Sequence, residues 1–166
     1  MKLLNVRFLW LALSLAAIFL VAGSLVLTAW LNLHPCHLCI FQRLLFMLLA
    51  LLAGWAFFVN GWLQRSVGLV IALLSLTGVA VAAYQSYLQA QPPGSISCMA
   101  GEPSLIERIV EWLGQLLPEL FLATGFCENA ELSILGLSLA HWSLLSFSTF
   151  LLAAVWAVFS PFFSRS

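Results

Sequence analysis

Four stretches of this chain, about residues 8–31, 36–59, 67–88 and 139–160, are almost wholly apolar and hold one charged side chain between them, Arg43. A helix needs roughly 20 such residues to cross the hydrocarbon of a bilayer. Lipid offers no hydrogen bonds to the backbone, so each stretch must satisfy its own N–H and C=O groups as a helix. Charged residues make up 7% of the chain, too few to cover a soluble surface, where about 25% is usual. The expected fold is an all-α membrane protein: a four-transmembrane-helix bundle spanning residues 1–166 as a single domain. The first stretch follows a short basic head, Lys2 to Arg7, and contains Ala22-Gly23-Ser24, features a cleaved signal peptide would share. Signal cores run about 7–15 apolar residues, so the longer stretch reads as a retained helix.

Asn32 to Pro35 forms a minimal turn, and a second runs from Asn60-Gly61 to Arg65-Ser66. Pro92-Pro93-Gly94 breaks the third stretch and opens the one long loop, about 90–138; Pro161 is expected to stop the fourth. Charge is segregated. All six acidic residues lie between Glu102 and Glu131, whereas Lys2, Arg7, Arg65 and Arg165 fall on one side of the bundle. The positive-inside rule then puts both termini in the cytoplasm and the long loop outside. Nothing resembles a basic patch with interleaved aromatics, which argues against nucleic acid as a partner. Within the loop, Leu105, Ile106, Ile109, Val110, Leu113, Leu116 and Leu117 recur at helical spacing between a Ser104 cap and Pro118. This predicts a short amphipathic helix that packs on the bundle or lies in the membrane interface, where Trp112 would sit well.

The chain has four cysteines, Cys36, Cys39, Cys98 and Cys127. All fall at a helix end or in the loop, on the outer side, where a bacterial envelope permits disulfides. Cysteines acting only as small buried hydrophobes would scatter through the spans. Four thiols allow three connectivities, and spacing alone does not choose; the simplest pairs Cys36 with Cys39 and Cys98 with Cys127. The second pair, taken alone, reads equally well as a staple closing a loop of about 30 residues, worth roughly 3 kcal/mol. Cys36-His37-Leu38-Cys39 closes almost no loop, which points to redox or metal chemistry instead. At a helix start, which Pro35 suits in the first turn, the dipole favours a thiolate.

Positions 36, 39 and 43 share a helix face. A guanidinium one turn inside a membrane is costly. Arg43 reads either as a snorkelling interfacial residue or, given the thiols on its face, as a group that supports a thiolate or holds an anionic or carbonyl ligand. His34 and His37 beside the thiols look superficially like metal ligands, but four ligands within six residues seldom converge on one ion, and no metal is expected. His141, beside Trp142, reads as an interfacial anchor.

Cys36-His37-Leu38-Cys39-Ile40-Phe41-Gln42-Arg43, the Leu-Ala-Thr-Gly-Phe-Cys segment ending at Cys127, and Leu135-Gly136-Leu137 through Trp142 resemble the disulfide bond formation protein B (DsbB) family. The resemblance covers nearly the whole chain. It implies an inner-membrane protein dithiol:quinone oxidoreductase that reoxidises a periplasmic thioredoxin-fold dithiol oxidase (DsbA-like) and passes electrons to ubiquinone or menaquinone in the membrane pool. Carried over residue by residue, Cys98 forms the mixed disulfide with the partner and Cys127 is its mate. Cys36 exchanges with the loop pair, Cys39 meets quinone, and Arg43 and Gln89 bind it. Gln85 stands where many members have histidine, a departure from the pattern. Two other classes compete: a metal-binding membrane protein, and a structural tetraspan stapled by disulfides. A vitamin K epoxide reductase-like enzyme shares four helices and a Cys-x-x-Cys, but its motif falls late in the chain.

Overall fold

The computed structural model describes residues 2–91, 104–125, 132–134 and 136–163. Helix α1 spans Lys2–Leu31, α2 His37–Phe58, α3 Gly61–Gln89, α4 Leu105–Leu116, α5 Pro118–Phe121 and α6 Leu139–Phe163. Within α1, α2, α3 and α6 the segments Val6–Leu31, His37–Phe58, Gly61–Gln89 and Leu139–Ser160 are long and apolar enough to cross a membrane. The all-α membrane bundle expected from the apolar stretches is the fold adopted.

Helices α1, α3 and α6 outrun their apolar stretches, because hydropathy measures the bilayer and not the helix, whereas α2 falls just inside its own. Only Val59 and Asn60 separate α2 from α3, so Arg65 and Ser66 are helical rather than part of a turn. Asn60 caps α3 with extended backbone, and Gly61 takes φ +65°, a left-handed conformation that glycine adopts without a Cβ clash. The Arg7 guanidinium donates to Asn60 Oδ1, 3.0 Å from Nε, which fastens the start of α1 to this turn and puts Arg7 and Arg65 at one end. Pro161 does not stop α6, which continues to Phe163.

Helix α3 lies along α6, α1 along α2, and α2 against α3, while α1 and α6 meet only sparsely. Lipid tails are as apolar as leucine, so close packing and small residues hold membrane helices together. The buried contacts follow that rule: Ala17, Ala53, Ala56, Ala82 and Ala154 lie fully buried among Trp10, Leu49, Ile71 and Phe147. Phe147 stacks on Phe46 with ring centroids 4.1 Å apart. Gly78 lies flat against the same ring, and a Cβ there would come within 2.3 Å of it. Gly78→Val is therefore expected to cost about 1–3 kcal/mol through overpacking, read as a lower thermal midpoint in detergent. At Gly54 an added Cβ meets only the Ser14 hydroxyl, at 3.3 Å, so Gly54→Ala should change the midpoint little.

The loop helix forms where the periodicity places it. Ser104 accepts from Glu107 N–H while the Glu107 carboxylate accepts from Ser104 N–H, a capping box at the start of α4. Val110 is buried with Ile40 of α2 and Phe121 of α5, whereas Leu105, Trp112 and Leu116 are exposed. The helix thus packs on the bundle through one edge and leaves a second apolar edge uncovered. Pro118 ends it and opens α5 at its first position, where a missing N–H costs nothing. Beyond the sequence expectation, Ser133–Ile134 (β1) and Leu137–Ser138 (β2) pair antiparallel, Ser133 opposite Ser138, around Gly136 at φ +79°.

Candidate functional site

The start of α2 brings the central motif together. Cys36 is the N-cap, with extended backbone (φ −82°, ψ 169°), and its carbonyl accepts from Ile40 N–H at 3.0 Å. Pro35 therefore lies one residue before the cap and not in the first turn. Its carbonyl, free of the helix, accepts from Thr124 N–H at 3.0 Å and Gly125 N–H at 3.2 Å. The segment after α5 is clamped directly onto the residue before Cys36.

One helical turn sets Cys36 Sγ and Cys39 Sγ 3.3 Å apart, a separation that a small side-chain rotation closes to a bond. Cys36 is buried among Leu38, Val81 and Leu88, and Cys39 is the more exposed of the two. Cys98 and Cys127 lie outside the described residues, as does their pairing.

Gln85, on α3, contacts both sulfurs. Its Nε2 donates to Cys39 Sγ at 2.9 Å and to Cys36 Sγ at 3.7 Å, while its Oε1 accepts from Gln42 Nε2 at 2.7 Å. Both glutamines are buried. The sequence reading passed over Gln42 and treated Gln85 only as a departure from a family pattern. Their signal was an amide buried in an apolar span, which must find partners within the bundle.

Arg43 is only 7% exposed, which excludes the snorkelling reading. Its Nε donates to Ser24 Oγ at 3.1 Å, Nη2 to Thr28 Oγ1 at 3.0 Å and Nη1 to the Leu120 carbonyl at 3.0 Å. Ser24 and Thr28 pass their own protons to the Val21 and Ser24 carbonyls, so both oxygens are left to accept. The guanidinium thus joins α1, α2 and α5. It has five N–H groups, and those bonds use three of them.

Gln89, one turn after Gln85, accepts from Ser138 Oγ at 2.7 Å, and Ser138 Oγ lies 2.8 Å from His141 Nδ1. His141 is thereby tied to the end of β2 rather than serving only as an anchor. Among the described residues no three His, Cys, Asp or Glu side chains gather as a metal-ligand set; His34, Cys36, His37 and Cys39 do not converge as one.

These groups border one cavity of ≈ 340 Å³, within the range of roughly 300–1,000 Å³ typical of small-molecule sites. Cys39, Arg43, Gln85 and Gln89 reach it, on walls that are otherwise mainly apolar. Phe19 of α1 and Trp142 of α6 also line it, and Phe19 is 77% exposed. The cavity therefore opens to the outside of the bundle along the seam where α1 and α6 scarcely touch.

The family model for disulfide bond formation protein DsbB matches residues 6–157. A disulfide bond formation protein B from Dechloromonas aromatica (strain RCB) is 40% identical over 151 residues, 88% of each chain. One from Azoarcus sp. (strain BH72) is 37% identical over 158 residues, 93% of each chain. A disulfide bond formation protein B 2 from Burkholderia lata is 40% identical over 159 residues, 92% of this chain and 88% of that protein. The pair of close thiols at the head of a membrane helix and the length of these matches lead to one conclusion: this multi-pass membrane protein belongs to the disulfide bond formation protein B family.

Proposed function

We propose that the protein is a dithiol:quinone oxidoreductase of the bacterial inner membrane. It reoxidises a periplasmic DsbA-like thioredoxin-fold protein through Cys98–Cys127 and Cys36–Cys39. The observation that carries this reading is the placement of the Cys36–Cys39 pair on the wall of an apolar, lipid-facing cavity that also receives Arg43. A soluble thiol would need none of these features; a lipid-soluble electron acceptor needs all of them.

The residues fit a quinone. Arg43 has N–H groups beyond those given to Ser24, Thr28 and Leu120, and Gln89 offers an amide on the same wall. Bound there, ubiquinone or menaquinone would accept two electrons and two protons. Both thiols line the cavity; in this proposal Cys39, the more exposed, meets quinone and Cys36 is the relay to the loop. Disulfide exchange proceeds by thiolate attack on sulfur. Cys36 is buried, so soluble thiols at large are shut out, and the clamp from Thr124 and Gly125 to Pro35 holds the segment leading to Cys127 beside it. Lys2, Arg7 and Arg65 at the opposite end support cytoplasmic termini and a periplasmic site.

The test is a purified preparation given ubiquinone or menaquinone and a reduced thioredoxin-fold dithiol. Quinone absorbance should fall as the partner is oxidised, and Cys98→Ser should stop partner oxidation yet spare quinone binding. Arg43→Ala should raise the apparent quinone KM by about tenfold or more, the usual scale for a lost hydrogen bond to a charged group. The same variant should lower the thermal midpoint, because the Leu120 carbonyl loses its donor. No quinone reduction with any partner would sink the reading.

A further inference from the structure

The buried amides of Gln42 and Gln85 form a chain whose polarity is set by what stands at its end. A thiolate can only accept hydrogen bonds. If Gln85 is to serve Cys39, its NH2 must face the sulfur, and its carbonyl must then face away. An amide at a buried site is indifferent to its two orientations unless a neighbour distinguishes oxygen from nitrogen. Gln42 makes that distinction: its Nε2 donates to Gln85 Oε1 at 2.7 Å. With that oxygen held, the NH2 of Gln85 faces the sulfurs, closest to Cys39 at 2.9 Å and farther from Cys36 at 3.7 Å. Turned over while Gln42 stays as it is, Gln85 would set its NH2 against the Gln42 NH2 and a carbonyl oxygen against the Cys39 thiolate, like facing like at both ends. Gln42 lies one residue before Arg43 and reaches α3 from α2, so the chain ties the thiols to the neighbouring helix as well.

We infer that Gln85 is a catalytic hydrogen-bond donor to the Cys39 thiolate, and that Gln42 is a positioning residue that locks the Gln85 amide in the donating orientation. The inference rests on Cys39 being the reactive thiol of the proposed function, but it does not need quinone or partner to be tested. Gln85 acts on sulfur directly, and Gln42 acts only through Gln85.

The experiment is site-resolved alkylation of the fully reduced, full-length protein by N-ethylmaleimide at fixed pH, with Cys39 read by mass spectrometry. Alkylation reports the thiolate population. Gln85→Met should slow it about tenfold or more, the scale of a hydrogen bond to a charged acceptor. Gln42→Met should slow it about threefold to tenfold, since the amide is kept but no longer held. In the Gln85→Met background Gln42→Met should have no further effect beyond about twofold, the non-additivity expected when one residue works through another. Additive effects, or an unchanged rate in Gln42→Met, overturn the inference. Gln42→Glu provides a second route if the methionine variants fold poorly. A neutral carboxyl can still donate to Gln85 Oε1, but a carboxylate only accepts and would turn the amide over. Cys39 alkylation, taken as a ratio to wild type at the same pH, should then fall as pH rises through ionisation of the introduced acid, and this fall should vanish when combined with Gln85→Met. A ratio to wild type that stays constant with pH overturns the inference. Normal alkylation with no quinone reduction would fault the proposed function and leave the amide chain standing.

Discussion

Replacing Cys39 with serine should abolish quinone reduction, lowering the rate by about a thousandfold or more, the scale on which removing a nucleophile acts. A hydroxyl occupies the same space and can still accept from Gln85 Nε2, so the packing of Leu38, Val81 and Leu88 around the pair has no reason to change. What is lost is the sulfur, and with it the means to form a disulfide with Cys36, whose Sγ lies 3.3 Å away. Quinone binding should survive, because Arg43 and the apolar walls are untouched. The check is the absorbance assay run beside equilibrium quinone binding in detergent. Wild-type turnover in Cys39→Ser would remove this thiol from the reaction; loss of binding together with turnover would make it a structural residue.

The second large effect is expected at Gly125, whose N–H is bonded to the Pro35 carbonyl. A Cβ there would come within 1.8 Å of the His34 carbonyl oxygen and 2.8 Å of its carbon. Both are backbone atoms beside Pro35, so no side-chain rotation relieves the clash. Gly125→Ala must break the two bonds from Thr124 and Gly125 to the Pro35 carbonyl. Each such bond is worth about 1 kcal/mol, and losing both should cut turnover with a protein partner roughly tenfold to thirtyfold. Reduction of the Cys36–Cys39 disulfide by a small membrane-permeant dithiol bypasses the loop, and quinone turnover driven that way should stay within about twofold of wild type. Equal losses in both assays would show that the clamp supports the whole site and not the relay.

Much of the site was legible because it is local. The spacing of Cys36, Cys39 and Arg43 puts them on one face of any helix, and Ser104 stands as a cap just before the periodic run of the loop helix, where the structure adds the Glu107 half of a capping box. What sequence could not show is what those side chains meet. Arg43 finds Leu120, 77 positions away, and Gln85 finds Gln42 across 43; no periodicity encodes such pairs. Gln85 was undervalued because it was measured against a family pattern and not against the cost of an unpaired amide in lipid. Gly125 stood in the sequence only as part of the Leu-Ala-Thr-Gly-Phe-Cys segment; the His34 carbonyl that fills the space of its missing side chain comes from a distant part of the chain. Pro161 misled for the opposite reason. Its local rule is sound, but so close to the end of α6 there is little left for it to break.

The gap between α1 and α6 has a kinetic meaning. A cavity entered sideways samples its ligand from the two-dimensional solution of the membrane, where a lipid-soluble molecule is concentrated far above its average in the sample. Turnover should therefore follow the mole fraction of quinone in lipid or detergent. At constant total quinone, adding more detergent should slow the reaction by dilution within the micelles, although nothing about the protein has changed. A bulkier side chain in place of Phe19, as in Phe19→Trp, would then act as an obstacle at a doorway, altering entry from the bilayer at a residue that makes no hydrogen bond to the thiols.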